Sequence, residues 1–141
     1  MLKNILFLCT GNSCRSQMAE GWGKALSPEF NFFSAGTTKH GLNPKAIQVM
    51  KEVGVDISNN YSKTLDEVSD IPLELVVTVC TDADEKCPVL PGVRVIHQGF
   101  RDPPRLTMEM TNEEDILNIY REVRDEIKQF ILQIDHWFSE I

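Results

Sequence analysis

"NILFLCTGNSCRSQMAEGW", residues 4–22, decides the fold. A short apolar run leads into a turn of small polar residues, and then Met18, Ala19, Trp22, Ala25 and Leu26 recur at three- and four-residue spacing. The run predicts a buried strand, and the spacing predicts a helix from about Ser13 to Pro28 with one buried face. Between them Gly11 permits a sharp backbone path and Asn12 tolerates left-handed geometry. From Cys9 to Arg15 the spacing is C-x5-R. Placed between a strand end and a helix N-terminus, Thr10, Gly11, Asn12, Ser13, Cys14, Arg15 and Ser16 form an anion cradle. Their amides lack helical partners, the helix dipole adds positive potential, and Arg15 can grip two oxygens at once. The same groups stabilise a thiolate at Cys9, and the Ser16 hydroxyl can add a hydrogen bond to it. Cys14 reads instead as a small side chain filling the base of the loop.

Further strands are expected at 31–36, 75–80 and 93–98, each rich in β-branched or aromatic residues, as strands covered on both faces should be. Helical patterns fill the gaps. Asn43 is the expected N-cap of a second helix, with Pro44 at its first position, Ile47, Met50 and Val53 inward, and Gly54 at its end. A helical turn is expected after Ser62. Thr111 and Glu114 stand in capping-box spacing before a stripe of Ile116, Tyr120, Val123, Ile127, Phe130, Ile134 and Phe138, which predicts one long amphipathic helix. Right-handed crossovers then give an α/β fold: an open, doubly wound four-stranded parallel sheet in the order 2-1-3-4. Ligands in such sheets bind outside the carboxyl ends of the strands, where the order reverses. Here that is between the first and third strands, which end near Cys9 and Cys80. Neighbouring strands lie ~4.8 Å apart, so these two thiols can come within disulfide reach after modest movement.

At 141 residues, with 42% hydrophobic and 25% charged side chains, the chain is expected to form a single domain over 1–141. Its N-terminal apolar run is too short for a signal-peptide core or a membrane span, so the expected compartment is the cytoplasm and no membrane partner is expected. A net charge of -7 argues against nucleic acid as a partner. Cytoplasmic thiols stay reduced, so four cysteines point to catalysis, redox chemistry or metal rather than structural disulfides. The gaps between them lack the paired short spacing of structural zinc motifs, so no metal and no cofactor are expected. Cys80 and Cys87 flank the short polar segment "TDADEK", which can rearrange at little packing cost. His40, His97 and His136 have no sequence partner for metal or base chemistry, so surface or packing roles are expected. A monomer is the default.

"CTGNSCRSQMAEGW", "SAG" at 34–36, "HGLNPKA" at 40–46, "VVTVCTDADEKCP" at 76–88 and "HQGFRDPP" at 97–104 together resemble the thioredoxin-coupled arsenate reductases. These share the low-molecular-weight protein tyrosine phosphatase fold. The resemblance spans nearly the whole chain and is most specific in joining the C-x5-R loop to the later cysteine pair. It implies that Cys9 attacks the arsenic of arsenate held by the loop amides and Arg15, and that Asp102, in a D-P loop, protonates the departing oxygen. Cys80 would then attack the Cys9 adduct and release arsenite. Cys87 would attack Cys80 in turn, leaving a disulfide for thioredoxin to reduce.

Two departures from the pattern carry consequences. Some members bind potassium beside the loop through residues matching Asn12, Glu20 and Ser34 plus an aspartate, which here is Lys63. The resemblance therefore implies that the Lys63 ammonium replaces the cation. Gln98 stands where many relatives have tryptophan, and the segment after Pro104 is divergent. The nearest rival reading is a phosphatase, because phosphate and arsenate are both tetrahedral oxyanions and share the first step. Such phosphatases carry aromatic residues after the Asp-Pro, whereas Pro104, Arg105 and Leu106 stand here. A sensor using the same loop and thiols is the reading from outside enzymology, and substoichiometric arsenite release would favour it.

Overall fold

The computed structural model describes residues 2–80 and 92–139, with backbone alone at 138 and 139. Among the described residues four strands, β1 (Lys3–Cys9), β2 (Phe30–Gly36), β3 (Leu75–Thr78) and β4 (Arg94–His97), form one parallel sheet in the order β2-β1-β3-β4. The expected order is therefore the observed one. β1 is central, pairing Cys9 with Gly36 on one side and Leu8 with Thr78 on the other. Its Ile5, Leu6, Phe7 and Leu8 have no exposed surface. Each such side chain contributes about 1.5–3 kcal/mol through burial. β4 departs from the expectation of strands covered on both faces: its residues alternate between half-buried and exposed, because it is the sheet edge.

Helix α1 (Arg15–Leu26) ends where the Ser27 amide bonds the Gly23 carbonyl, just ahead of Pro28. Met18, Ala19 and Trp22 are buried as expected, but Ala25 is exposed. The reason is that glycines set the contact face. A Cβ at Gly23 would lie 2.5 Å from the Phe32 ring, and one at Gly21 would lie 2.7 Å from Ile57. Close approach there turns the helix so that Ala25 faces out, and a count of apolar side chains cannot register it.

Helix α2 (Pro44–Glu52) begins as expected, with the Asn43 side chain accepting from the amides of Lys45 and Ala46 at 2.9 and 3.2 Å. It closes in a Schellman turn in which Gly54 has φ of 81° and Val55 N–H reaches the Met50 carbonyl. Val53, expected inward, is 40% exposed. The turn at Gly54 sends Val55 back onto the core in its place. A single 3-10 turn (Leu65–Val68), boxed by Thr64 and Glu67, is the expected turn after Ser62.

Helices α3 (Pro103–Leu106), α4 (Glu113–Leu132) and α5 (Ile134–Ser139) complete the described chain. Thr111 does not cap α4. Asn112 does, its side chain accepting from Asp115 N–H at 3.0 Å, because asparagine is the better cap and stands one residue nearer the acidic first turn. The expected single helix is also broken. At Gln133 the chain tightens to a three-residue hydrogen bond onto Phe130, which folds Ile134 into the core and sets Trp137 5.6 Å from the Phe130 ring. The Phe138 side chain lies outside the described residues. α4 packs on α1, where the Trp22 indole donates to the Arg124 carbonyl at 3.0 Å. Among the described residues no helix is long and apolar enough to cross a membrane.

Candidate active site

Cys9 is the last residue of β1, and the loop that follows is pinned by its own carbonyls. Those of Cys9, Thr10, Gly11 and Ser13 accept from the amides of Thr37, Thr38, His40 and Asn43. Among the described residues, the amides of Gly11, Asn12, Ser13 and Cys14 bond no backbone carbonyl. Donors without protein partners at a helix N-terminus make a site for an anion. Gly11 is required by contact rather than by φ: a Cβ there would lie 2.2 Å from the His40 ring. His40 therefore packs over the loop. His97 instead pairs with Thr78 at 2.9 Å, and His136 is exposed on α5.

The thiol of Cys9 is 3.0 Å from the Ser16 hydroxyl. Ser16 in turn accepts from the Asn12 amide group at 2.9 Å, which leaves its own proton free for the sulfur. Asn12 is fully buried with φ of 49°, the left-handed geometry foreseen for it. What the sequence did not reveal is how it is held. Gln17 donates to its side-chain oxygen at 3.0 Å, Lys63 N–H donates to the same atom at 2.9 Å, and the Ser62 hydroxyl reaches its carbonyl at 2.7 Å. The one available signal was Gln17, a polar residue on the buried side of α1.

Arg15 leaves the start of α1 toward a second loop. One guanidinium nitrogen donates to the Phe100 carbonyl at 3.0 Å, and another lies 3.7 Å from the Asp102 carboxylate. Asp102 occupies the N-cap position of α3 but makes no cap hydrogen bond, so its carboxylate remains directed at the arginine. Buried Pro103 anchors the backbone behind it. Cys80, two residues beyond β3, is buried, with its sulfur 3.2 Å from the Thr10 hydroxyl. The structure thus brings Cys9, Arg15, Asp102 and Cys80 to one end of the sheet. Cys87 lies outside the described residues, as does "TDADEK". Cys9, Cys14 and Cys80 are free thiols. Burial first, and the neighbouring Cys9 second, push the Cys14 thiol far above the ordinary thiol range, which keeps it neutral.

Behind the loop, Glu20 accepts from Ser34 at 2.7 Å and from Lys24 at 2.8 Å, and the Lys63 ammonium stands 3.7 Å away. The ammonium also donates to the Tyr61 carbonyl at 3.3 Å. Burial draws the Lys63 pKa below that of an ordinary lysine, and Glu20 opposes that shift. These residues do not fit a metal ion, since a covalently held cation already faces Glu20.

A strand-end thiol in an arginine-closed loop, faced by an aspartate from the neighbouring loop on a four-stranded parallel sheet, defines the class of cysteine-loop proteins that handle tetrahedral oxyanions. The chain belongs to the low molecular weight phosphotyrosine protein phosphatase family, whose model matches residues 4–138. It is 51% identical over 133 residues to a Staphylococcus saprophyticus protein named arsenate reductase 2, with 93% of this chain and 95% of that one covered. A solved arsenate reductase in the phosphate binding state superposes with a TM-score of 0.74 at 28% identity, covering 94% and 96% of the two chains. A low molecular weight protein tyrosine phosphatase from T. tengcongensis also superposes at 0.74, with 25% identity and 99% of both chains covered.

Proposed function

We propose that this chain is a thioredoxin-coupled arsenate reductase acting in the cytoplasm as a monomeric, single-domain enzyme. The observation that carries the reading is a second buried thiol, Cys80, held one residue beyond the level of Cys9 against Thr10 at 3.2 Å. A phosphatase has no use for it. Half-identity to proteins named arsenate reductase over nearly the whole chain supports the same choice.

In this reading the loop amides and Arg15 hold arsenate, and the Cys9 sulfur forms a bond to arsenic as one As–O bond breaks. Asp102 supplies the proton with which that oxygen leaves as water. Ser16 and the α1 N-terminus stabilise the attacking thiolate. The Cys80 thiolate then attacks the Cys9 sulfur, and the S–As electron pair stays on arsenic. Arsenic is thereby reduced from the pentavalent to the trivalent state and leaves as arsenite, while Cys9 and Cys80 are oxidised to a disulfide. Cys87 displaces Cys9 from Cys80, and the two thiols of reduced thioredoxin supply the two electrons that reopen the Cys80–Cys87 bond. Cys14 takes no part, being held neutral.

The test is arsenate-dependent consumption of NADPH in the presence of thioredoxin and its reductase. Turnover is expected for the natural sequence, with no arsenite released by Cys80→Ser and loss beyond a single arsenite equivalent in Cys87→Ser. Undiminished turnover in Cys87→Ser overturns the relay. Slow hydrolysis of aryl phosphates is a further expectation, because the first step is shared and the family is that of phosphatases.

A further inference from the structure

Glu20 poses a problem for a loop that must attract an anion. Its side chain is 5% exposed, it lies on α1 one turn beyond Ser16, and it shares Lys63 with Asn12: the Lys63 amide holds the Asn12 side chain while its ammonium faces Glu20. An uncompensated buried negative charge there would oppose both the thiolate and an incoming oxyanion. Lys24 also pairs with Glu20, but its side chain is 58% exposed, so water screens it. Lys63 is 8% exposed and acts at low dielectric. Its ammonium is further steadied by the Tyr61 carbonyl and by the Tyr61 ring at 4.9 Å.

We propose that Lys63 is a positioning residue for the oxyanion loop: an internal counter-ion that neutralises Glu20 and clamps Asn12, so that no monovalent metal ion is needed. The inference rests on the reading of the loop as an oxyanion site. It takes a lysine because the charge must be fixed. A covalently attached ammonium cannot dissociate at low salt, and one residue then couples charge compensation to loop geometry.

The experiment is equilibrium binding of arsenate to the reduced, full-length protein by calorimetry, with potassium, sodium or choline as the salt cation at matched ionic strength. For the natural sequence the affinity is expected to be the same in all three. In Lys63→Met it is expected to fall on the order of tenfold, the effect of one uncompensated buried charge at the effective dielectric of a protein. Lys63→Arg should recover most of that loss, and Lys63→Asp should gain a potassium-selective recovery. If Lys63→Met does not fold, the double variant Glu20→Gln with Lys63→Met removes both charges and should bind arsenate within about threefold of the natural sequence. Selective enhancement of the natural protein by potassium overturns the proposal. So does unchanged affinity in Lys63→Met, or a tenfold loss persisting in the double variant. Absence of any arsenate binding by the natural sequence overturns the oxyanion reading itself, and this inference with it.

Discussion

Asn12 shows how much can depend on one side chain. It donates to Ser16, which faces the Cys9 sulfur, and it accepts from Gln17 and Lys63 while fully buried. Asn12→Ala removes these bonds and places alanine at a positive φ, so urea unfolding should show a loss of about 2–3 kcal/mol. Asn12→Gly relieves the backbone cost alone and should recover part of it; equal losses would rule out a backbone contribution. The two loop cysteines separate on similar grounds. Burial and the adjacent Cys9 keep Cys14 protonated, so mass spectrometry after brief iodoacetamide treatment between about pH 7 and 9 should find Cys14 unlabelled in the native protein and labelled in urea. Native labelling of Cys14 as fast as that of Cys9 would contradict its assignment as a packing residue.

At the scale of elements, α2 and the Asp102 loop determine how the cradle is framed. Asn43 serves three contacts: its amide holds the Ser13 carbonyl, its side-chain oxygen caps α2, and its side-chain nitrogen donates to the Tyr120 hydroxyl at 3.1 Å. Asn43→Ala is expected to cost about 1 kcal/mol through the cap, with a further loss through Tyr120. Thermal unfolding of Asn43→Ala, Tyr120→Phe and the pair should therefore be non-additive, and strict additivity would mean the two residues do not interact. In the proposed mechanism the Asp102 loop has a chemical role instead. Because its carboxylate caps nothing, Asp102→Asn should leave the unfolding temperature within a degree or two while arsenate-dependent kcat falls by about 10²–10⁴. A change in arsenate KM alone would make Asp102 a binding group rather than an acid.

For the molecule as a whole, α2 and α4 are joined by an ionic network centred on Glu52, which meets Arg121 at 2.7 Å and Arg124 at 3.1 Å. Hydrogen bonds from Arg121, with Arg124 assisting, hold the Glu52 carboxyl below the usual carboxylate range. A folded-state pKa held down in this way contributes stability that is fully present above the ordinary range and lost as pH falls through the lowered value. Glu52→Gln is therefore expected to cost about 0.5–1 kcal/mol at neutral pH. The difference from the natural sequence should be smaller at acid pH than at neutral pH, because below the lowered value Glu52 binds a proton in both states. Urea unfolding at the two pH values checks this. A constant difference would assign the effect to packing.

The sheet and the loop were legible because they rest on local patterns. Apolar runs in 4–9, 31–36 and 75–80, the turn chemistry of Gly11 and Asn12, and the C-x5-R spacing required no partner from elsewhere to be read. Cys9, Arg15 and the Asn43 cap follow from them, and the order 2-1-3-4 follows from crossover handedness. Ala25, Val53, Thr111 and the break at Gln133 were misread for a different physical reason. Each depends on what packs alongside it or on competition between neighbouring caps, which periodicity does not contain. The same limit applies to the clasp on Asn12, assembled from α1 and from residues 62 and 63, and to the approach of Asp102 to Arg15. By itself the sequence determined the strands of the sheet, the C-x5-R loop that joins strand to helix, and the candidate thiols. Only the tertiary structure decided which buried charges face one another, because an ammonium and a carboxylate 43 positions apart meet only when the chain has folded.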